Sequence, residues 1–454
     1  MIKTNLEKLL PEYQEFARQF DLNLESDIFV DGKIENKKIT AYAVVNGQES
    51  FGEYYFTKST ELELNRYLKR YTKLVLYNAL VKAFNKELSW GAINGIRPIK
   101  FARSCIDYKN YLKNEMRVSN KKVQLVDDII KTQDKLNLDY SKVDVFVGIP
   151  FCPSRCSYCS FISQQITSKS RLNEYIDTLC AEIEAGKYFY QNNLGSIYIG
   201  GGTPIALPYE LLEKLLKTIG KQNVEYTIEA GRPDCFDKDK LKLFADYGVS
   251  RICVNPQTLN DKTLVKMGRK HTAESVFTAY KMAREFPFII NTDLIAGLTD
   301  ESVQDFKYSL DNILSLNPEN ITVHTLCLKA GSKLKTEQDK LVETGVEEMV
   351  DYANLTLKEA GFMPYYCYRQ KYSAGNLENV GYSKNGAECR YNICVMEELT
   401  NNPAFGASAN TKVLFNKEDR IERYFPPKDI DTYLNKIDKI IKEKDILFKK
   451  VQEQ

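Results

Sequence analysis

Three cysteines, Cys152, Cys156 and Cys159, lie in C-x3-C-x2-C spacing within Gly148-Ile-Pro-Phe-Cys-Pro-Ser-Arg-Cys-Ser-Tyr-Cys-Ser-Phe161. Three thiolates on one short loop can converge on a single inorganic centre. Structural zinc sites take four ligands, usually as paired C-x2-C or with histidine. No second C-x2-C exists here, and neither of the two histidines, His271 and His324, is near in sequence. Iron–sulfur clusters are held by thiolates, commonly four. Three cysteines would leave one iron of a [4Fe–4S] cluster open to a substrate or cofactor. The other eight cysteines are scattered, and their simplest reading is small buried hydrophobes.

The whole chain narrows the setting. At 454 residues it is long enough for two or three domains with cores of their own. A formal charge of +2 leaves no global electrostatic footprint for nucleic acid. No run approaches 18 continuous apolar residues, so no membrane-spanning helix is expected. No charged n-region followed by an apolar h-region is visible at the N-terminus. With 11 cysteines, an odd number, a reducing compartment and a cytoplasmic location are expected.

Elements must hold these residues in place. Leu6, Leu9, Leu10, Tyr13, Phe16 and Phe20 recur at helical spacing and predict a helix up to about residue 20. Residues 28–30, 39–45 and 51–56 read as a β-meander, with Asp31-Gly32 and Asn46-Gly47 as its hairpin turns. A long helix is predicted over about 60–85 and a polar one over about 120–135. Between them, Trp90-Gly-Ala-Ile-Asn-Gly-Ile-Arg-Pro-Ile-Lys100 reads either as a loop capped by a buried ring or as a loop whose Arg97 and Lys100 face an anion. From residue 143 apolar runs at 143–149, 196–200, 225–229, 251–255, 288–295 and 321–325 alternate with helical patterns. Runs buried on both faces and alternating with helices predict a parallel sheet of right-handed βα units. Six units fit a partial (βα)6 TIM-like barrel, α/β in class, with an N-terminal α+β domain and a C-terminal α+β extension. The expected boundaries are 1–140, 141–340 and 341–454.

Chemistry in such barrels sits at the C-terminal strand ends. The cysteines follow the first run, Gly200-Gly-Gly-Thr-Pro204 the second and Glu229-Ala-Gly-Arg-Pro-Asp234 the third. Asn255-Pro-Gln257 follows the fourth, Asp293 lies in the fifth and His324 ends the sixth. Glycines let backbone groups approach a ligand closely. Glu229 and Asp293 are acids in apolar strands, and burying them costs several kcal/mol unless they are satisfied. A ribose diol or an ammonium would satisfy them, as would a salt bridge with Arg251 or Arg269.

C-x3-C-x2-C with Tyr158 before the last cysteine, after the first strand, resembles the radical S-adenosylmethionine (SAM) superfamily. Gly-Ile-Pro-Phe-Cys, Gly-Gly-Gly-Thr-Pro, Asn-Pro-Gln257, Gly-Arg269-Lys-His-Thr and Asp293-Leu-Ile-Ala-Gly-Leu298 together resemble the oxygen-independent coproporphyrinogen III oxidase family. The Trp90 loop, Glu229-Ala-Gly-Arg-Pro-Asp, Val323-His-Thr-Leu and Tyr368-Arg-Gln-Lys-Tyr-Ser-Ala-Gly-Asn-Leu-Glu-Asn-Val-Gly-Tyr382 are similar to its HemZ-type coproporphyrinogen dehydrogenase branch. The likeness spans about residue 60 to the C-terminus. It implies a [4Fe–4S] cluster on Cys152, Cys156 and Cys159, with the methionine part of SAM on the open iron. The family's cofactor positions fall on Phe146, Tyr158, Gly201, Gly202, Thr203, Glu229, Gln257, Arg269 and Asp293, with Cys327 and Asn410 aligning loosely. The resemblance assigns no catalytic residue. The chain departs from the family's Tyr-x-His-Ile-Pro-Phe-Cys at Phe146 and Gly148, and it has Phe161 where members carry a further cysteine.

The resemblance implies a radical enzyme that converts coproporphyrinogen III propionates to vinyl groups, giving protoporphyrinogen IX for haem. Arg97, Arg155, Arg232, Arg369 and Lys371 are candidates to receive propionates. An electron donor such as a flavodoxin or ferredoxin is implied, with no nucleic-acid partner. The alternatives are a haem chaperone on the same scaffold, whose members share Phe161, and a radical enzyme acting on haem or another tetrapyrrole.

Overall fold

The computed structural model describes residues 1–56, 60–93, 95, 97–159, 164–166, 168–329, 332–337, 341, 344–415 and 420–453, with Leu62 described by its backbone alone. The chain divides into two compact units, Met1–Asp127 with Gly375–Leu377, and Asp128–Ala374 with Glu378–Gln454.

The first unit is a four-stranded sheet in the order β1 (Ile2–Thr4), β2 (Ile28–Glu35), β3 (Lys38–Val45), β4 (Gln48–Tyr55). The predicted N-terminal helix is shorter than expected. Residues 2–4 pair in parallel with β2 instead, and the helix covers Leu10–Ala17, where Tyr13 and Phe16 are fully buried. Asn46-Gly47 makes its turn with φ of 48° and 81°, but Asp31-Gly32 lies inside β2. The first hairpin turns at Asn36 and Lys37 (φ 47° and 63°). Gly32 serves packing rather than turning, because a Cβ there would stand 2.4 Å from Thr72 Cγ2 of the long helix. That helix, Glu61–Phe84, begins with a capping box between Thr60 and Glu63 and ends at left-handed Asn85. Trp90 is buried and Gly91 (φ 52°) packs on the Met116 carbonyl, which makes the following loop structural there. Asn94 and Ile96 lie outside the described residues.

The second unit contains the barrel. Six parallel strands run in sequence order: β5 (Val143–Ile149), β8 (Leu194–Gly201), β9 (Glu225–Gly231), β10 (Arg251–Val254), β11 (Ile289–Ala296) and β12 (Asn320–Thr325). A short parallel pair, β6 (Phe151–Cys152) with β7 (Gln164–Gln165), follows β5. Most residues of β5, β10 and β12 are buried, as strands covered on both faces require. The intervening helices include Lys169–Gly186, Lys238–Asp246, Ala273–Ala283 and Val303–Ser315. Side chains of Ser168, Asp237, Thr272 and Ser302 cap their N-termini.

Residues beyond 340 enter the same sheet, which periodicity did not disclose. β13 (Met363–Arg369) and β14 (Glu378–Ser383) form a hairpin that pairs antiparallel with β12 through β14. β15 (Ala404–Phe405) adds in parallel to β5 at the other edge, giving nine strands. β16 (Thr411–Phe415) and β17 (Arg420–Tyr424) make a separate hairpin, and the helix Ile437–Gln452 closes the chain.

A buried ion pair anchors β15. Lys444 Nζ donates to Glu182 Oε1 at 2.5 Å, with the side chains 3% and 1% exposed. Glu182 Oε2 also accepts from Tyr433 Oη (2.6 Å) and the Gly406 amide (2.8 Å). Lys444→Met would leave this carboxylate buried and uncompensated. It is expected to cost about 3–5 kcal/mol, read from the urea midpoint, with Glu182→Gln in the same chain recovering part of the loss. A loss below 1 kcal/mol would show that the pair is not an anchor.

Candidate radical cofactor site

At the C-terminal ends of the six strands lies a cavity of about 530 Å³. Its wall includes Cys152, Cys156, Tyr158 and Cys159 from the loop after β5, and Gly201, Gly202 and Thr203 after β8. Glu229, Gln257, Arg269, Asp293, His324 and Cys327 complete the predicted set that lines it. The structure therefore brings together every candidate cluster and cofactor residue except Phe146 and Asn410. That ring stacks toward Tyr198 (6.3 Å between centroids) and Tyr391 (6.4 Å) and is not among the lining residues. Asn410 is also outside the lining, and Phe161 lies outside the described residues.

The cysteine loop is held from three sides. The Gly202 amide donates to the Ile149 carbonyl and the Thr203 amide to the Phe151 carbonyl, each at 2.7 Å. Thr203 Oγ1 donates to Cys152 Sγ at 3.4 Å. Arg232, at 3% exposure, grips Asp234 with two donors at 2.9 Å and reaches Ser154 Oγ at 3.0 Å. Ser154 in turn donates to the Gly268 carbonyl. Arg232 is thus committed to the loop rather than free for a propionate. Arg269 donates to the Asn255 carbonyl at 2.6 Å and also bonds Tyr158 and Cys156. Burial alone would lower its pKa, but the Tyr158 and Cys156 groups outweigh that and raise it.

The two acids are satisfied without the suspected salt bridges. Glu229 accepts from Tyr198 Oη (2.6 Å) and from the Gly201 amide (3.3 Å). Burial pushes its carboxyl up, and Asp293 adds to this against the lowering by Tyr198. Asp293 accepts from Asn291 Nδ2 at 2.7 Å and stands 3.7 Å from His324 Nε2. Arg251 instead pairs with Glu225 at 3.4 Å and with Asn320.

Do these residues fit the implied group? Gly202 admits no side chain, since a Cβ would stand 2.4 Å from the Phe151 oxygen, so backbone crowds the cluster loop. Gln257 holds a left-handed backbone (φ 69°), a cost that non-glycine residues bear mainly at functional sites. The side-chain oxygens of Asn255 and Gln257, both residues over nine-tenths buried, have no protein partner although they line the cavity. Buried acceptors of this kind need a donor. A ligand with ammonium, hydroxyl and amino donors supplies one. The donor set, three thiols and this cradle, fits a cluster with SAM.

Sequence reasoning missed Tyr198 and the Tyr368 side chain. Tyr198 reads as an ordinary strand aromatic, and only its register opposite Phe146 places its hydroxyl on Glu229. Gly148 also gains a reason. A side chain there would meet Ala409 Cβ at 3.3 Å and the Phe146 ring at 3.4 Å, because the segment after β15 fills that space.

This barrel and cysteine loop define a member of the radical SAM superfamily, and the model of that superfamily matches residues 146–313. The chain belongs to the family of the oxygen-independent coproporphyrinogen-III oxidase-like protein HemZ of Bacillus subtilis, to which it is 32% identical over 437 residues, 90% of this chain and 87% of that one. It is also similar to the haem chaperone HemW of Bacillus subtilis, at 35% identity over 192 residues, 40% of this chain and 50% of that one. Among solved structures, coproporphyrinogen III oxidase HemN from Escherichia coli superposes with a TM-score of 0.52 at 18% identity, over 68% of this chain and 72% of that one. That likeness is one of fold. A [4Fe–4S] cluster and SAM are the cofactors of the superfamily and of this chain. No helix among the described residues is long and apolar enough to cross a membrane.

Proposed function

We propose that this protein converts propionate side chains of coproporphyrinogen III to vinyl groups without oxygen. The observation that carries the reading is the cavity itself, with three thiols, two half-buried carboxylates and two unpartnered amide oxygens on one barrel mouth, in a chain of the HemZ family. When bound and reduced, the cluster supplies a 5′-deoxyadenosyl radical from SAM, able to take a hydrogen atom from an unactivated carbon.

The chain's own residues bind and orient. Cys152, Cys156 and Cys159 hold the cluster. Gly201, Gly202 and Thr203 offer backbone to the methionine end, while Glu229, Gln257, Arg269 and Asp293 take the remaining polar groups, with Tyr158 beside the cluster. Phe146 acts through Tyr198, whose hydroxyl fixes Glu229. Glu229→Gln is expected to weaken SAM binding about tenfold in calorimetry on anaerobically reconstituted protein, the usual scale for a bond to a charged group. Unchanged affinity would remove Glu229 from the site.

Residues 1–140 are read as an accessory part, 141–340 as the radical barrel and 341–454 as the part that covers substrate. The position of Tyr368 and Asn379 in the cavity wall supports the last assignment. The reductant is a flavodoxin- or ferredoxin-class donor. The test is anaerobic incubation with SAM, reductant, coproporphyrinogen III and a one-electron acceptor, which takes the electron left when the propionate radical loses carbon dioxide. A product lighter by carbon dioxide and two hydrogens per propionate is expected, and deoxyadenosine without vinyl product would overturn the assignment. The likeness to HemW favours one other reading, haem carriage, which predicts stoichiometric haem binding and no porphyrinogen turnover.

A further inference from the structure

The cavity has two ends in the sheet. The cysteines follow β5, the first of six parallel strands, and His324 ends β12, the sixth. Tyr368 lies on β13, beyond β12 at the same edge. Its hydroxyl stands 3.3 Å from His324 Nδ1, and Asp293 Oδ2 stands 3.7 Å from His324 Nε2. All three line the cavity.

The chain has a direction. Asp293, already held by Asn291, stands behind the imidazole at its Nε2 edge. In the tautomer that carries hydrogen on Nδ1, His324 donates to the Tyr368 phenol oxygen and leaves the phenol hydrogen for a ligand. The Tyr368 ring is fixed by a parallel stack with Tyr366 (6.4 Å, 7°), and its backbone carbonyl accepts from Asn379 Nδ2 at 3.3 Å. Burial, and then Asp293, pushes the Tyr368 phenol up, so it remains an O–H donor at neutral pH. The two arginines among the described lining residues, Arg232 and Arg269, are engaged on the cysteine side.

We propose that Tyr368 and His324 form the subsite that receives a carboxylate of the substrate at the β12 end of the cavity. The inference rests on the tetrapyrrole reading and names the side chains that hold its propionate. A phenol donating to a carboxylate makes a short charge-assisted bond, and the imidazole behind it keeps the hydroxyl in place. His324 and Tyr368 are positioning residues, since no proton need move for a carboxylate to leave as carbon dioxide.

The test is anaerobic fluorescence titration of the reconstituted protein with coproporphyrin III and with its tetramethyl ester, whose carboxylates are blocked. The unmodified protein is expected to favour the acid at least tenfold. Tyr368→Phe and His324→Gln, each checked for an unaltered melting temperature, are expected to lower acid affinity about tenfold and leave ester affinity unmoved. Equal binding of acid and ester by the unmodified protein overturns the subsite and leaves the tetrapyrrole reading standing. So does an acid preference that survives in both variants. Failure of the unmodified protein to bind either porphyrin overturns both the reading and the subsite.

Discussion

Cys156→Ala is expected to lower deoxyadenosine formation to the level of a protein-free control and to strip most of the iron. A cluster ligated by three thiolates cannot lose one and keep its open iron defined. Cys156 also bonds Arg269, which reaches Tyr158 and the Asn255 carbonyl, so the side chain belongs to a contact network that spans cluster loop and cofactor cradle. It is half-buried on a loop, so stability of the metal-free chain is expected to change by less than about 0.5 kcal/mol. Iron content, visible absorbance and deoxyadenosine yield check this together. A variant that keeps its iron and its yield would remove these cysteines from the centre.

Gly202→Ala is expected to damage the same centre from the other side. The added Cβ would stand 2.4 Å from the Phe151 oxygen and 2.8 Å from the Ile149 oxygen, both backbone atoms. Neither can retreat without breaking the two 2.7 Å bonds that tie β8 to the cysteine loop. The strain is about 1–3 kcal/mol, and the loop shift moves Thr203 away from Cys152. Lower iron loading and weaker SAM binding are expected, beside a lower denaturation midpoint. Gly220→Ala is the control. Gly220 has φ 82°, yet its nearest neighbour for a Cβ is the Gln222 side chain at 3.5 Å, away from the loop. It is expected to lose stability and keep its cluster. Equal loss of iron in the two variants would trace the Gly202 effect to general destabilisation.

The barrel was legible because its strands are short apolar runs buried on both faces, and their boundaries fall within a few residues of the patterns. The cofactor cradle was legible because thiols, glycines and buried acids stand out in such runs. Pairing partners were less legible. Asp31-Gly32 has the composition of a turn, but Gly32 is there because Thr72 packs against it. β15 spans two residues, too short for any period, and joins the sheet by pairing Ala404 with Phe146, more than 250 residues earlier. Arg232 looked like a ligand for propionate and is instead the clasp of Ser154. The Tyr198–Glu229 and Tyr368–His324 pairs depend on strand register, which no single strand's composition carries.

The most direct measurement of the central claim is the fate of a labelled hydrogen. Coproporphyrinogen III deuterated at the propionate β-carbons would be incubated anaerobically with the reconstituted protein, SAM and reductant, and the deoxyadenosine weighed by mass spectrometry. Deoxyadenosine carrying one deuterium for each carbon dioxide released is expected. Unlabelled deoxyadenosine, formed at the same rate with and without the tetrapyrrole, would contradict it.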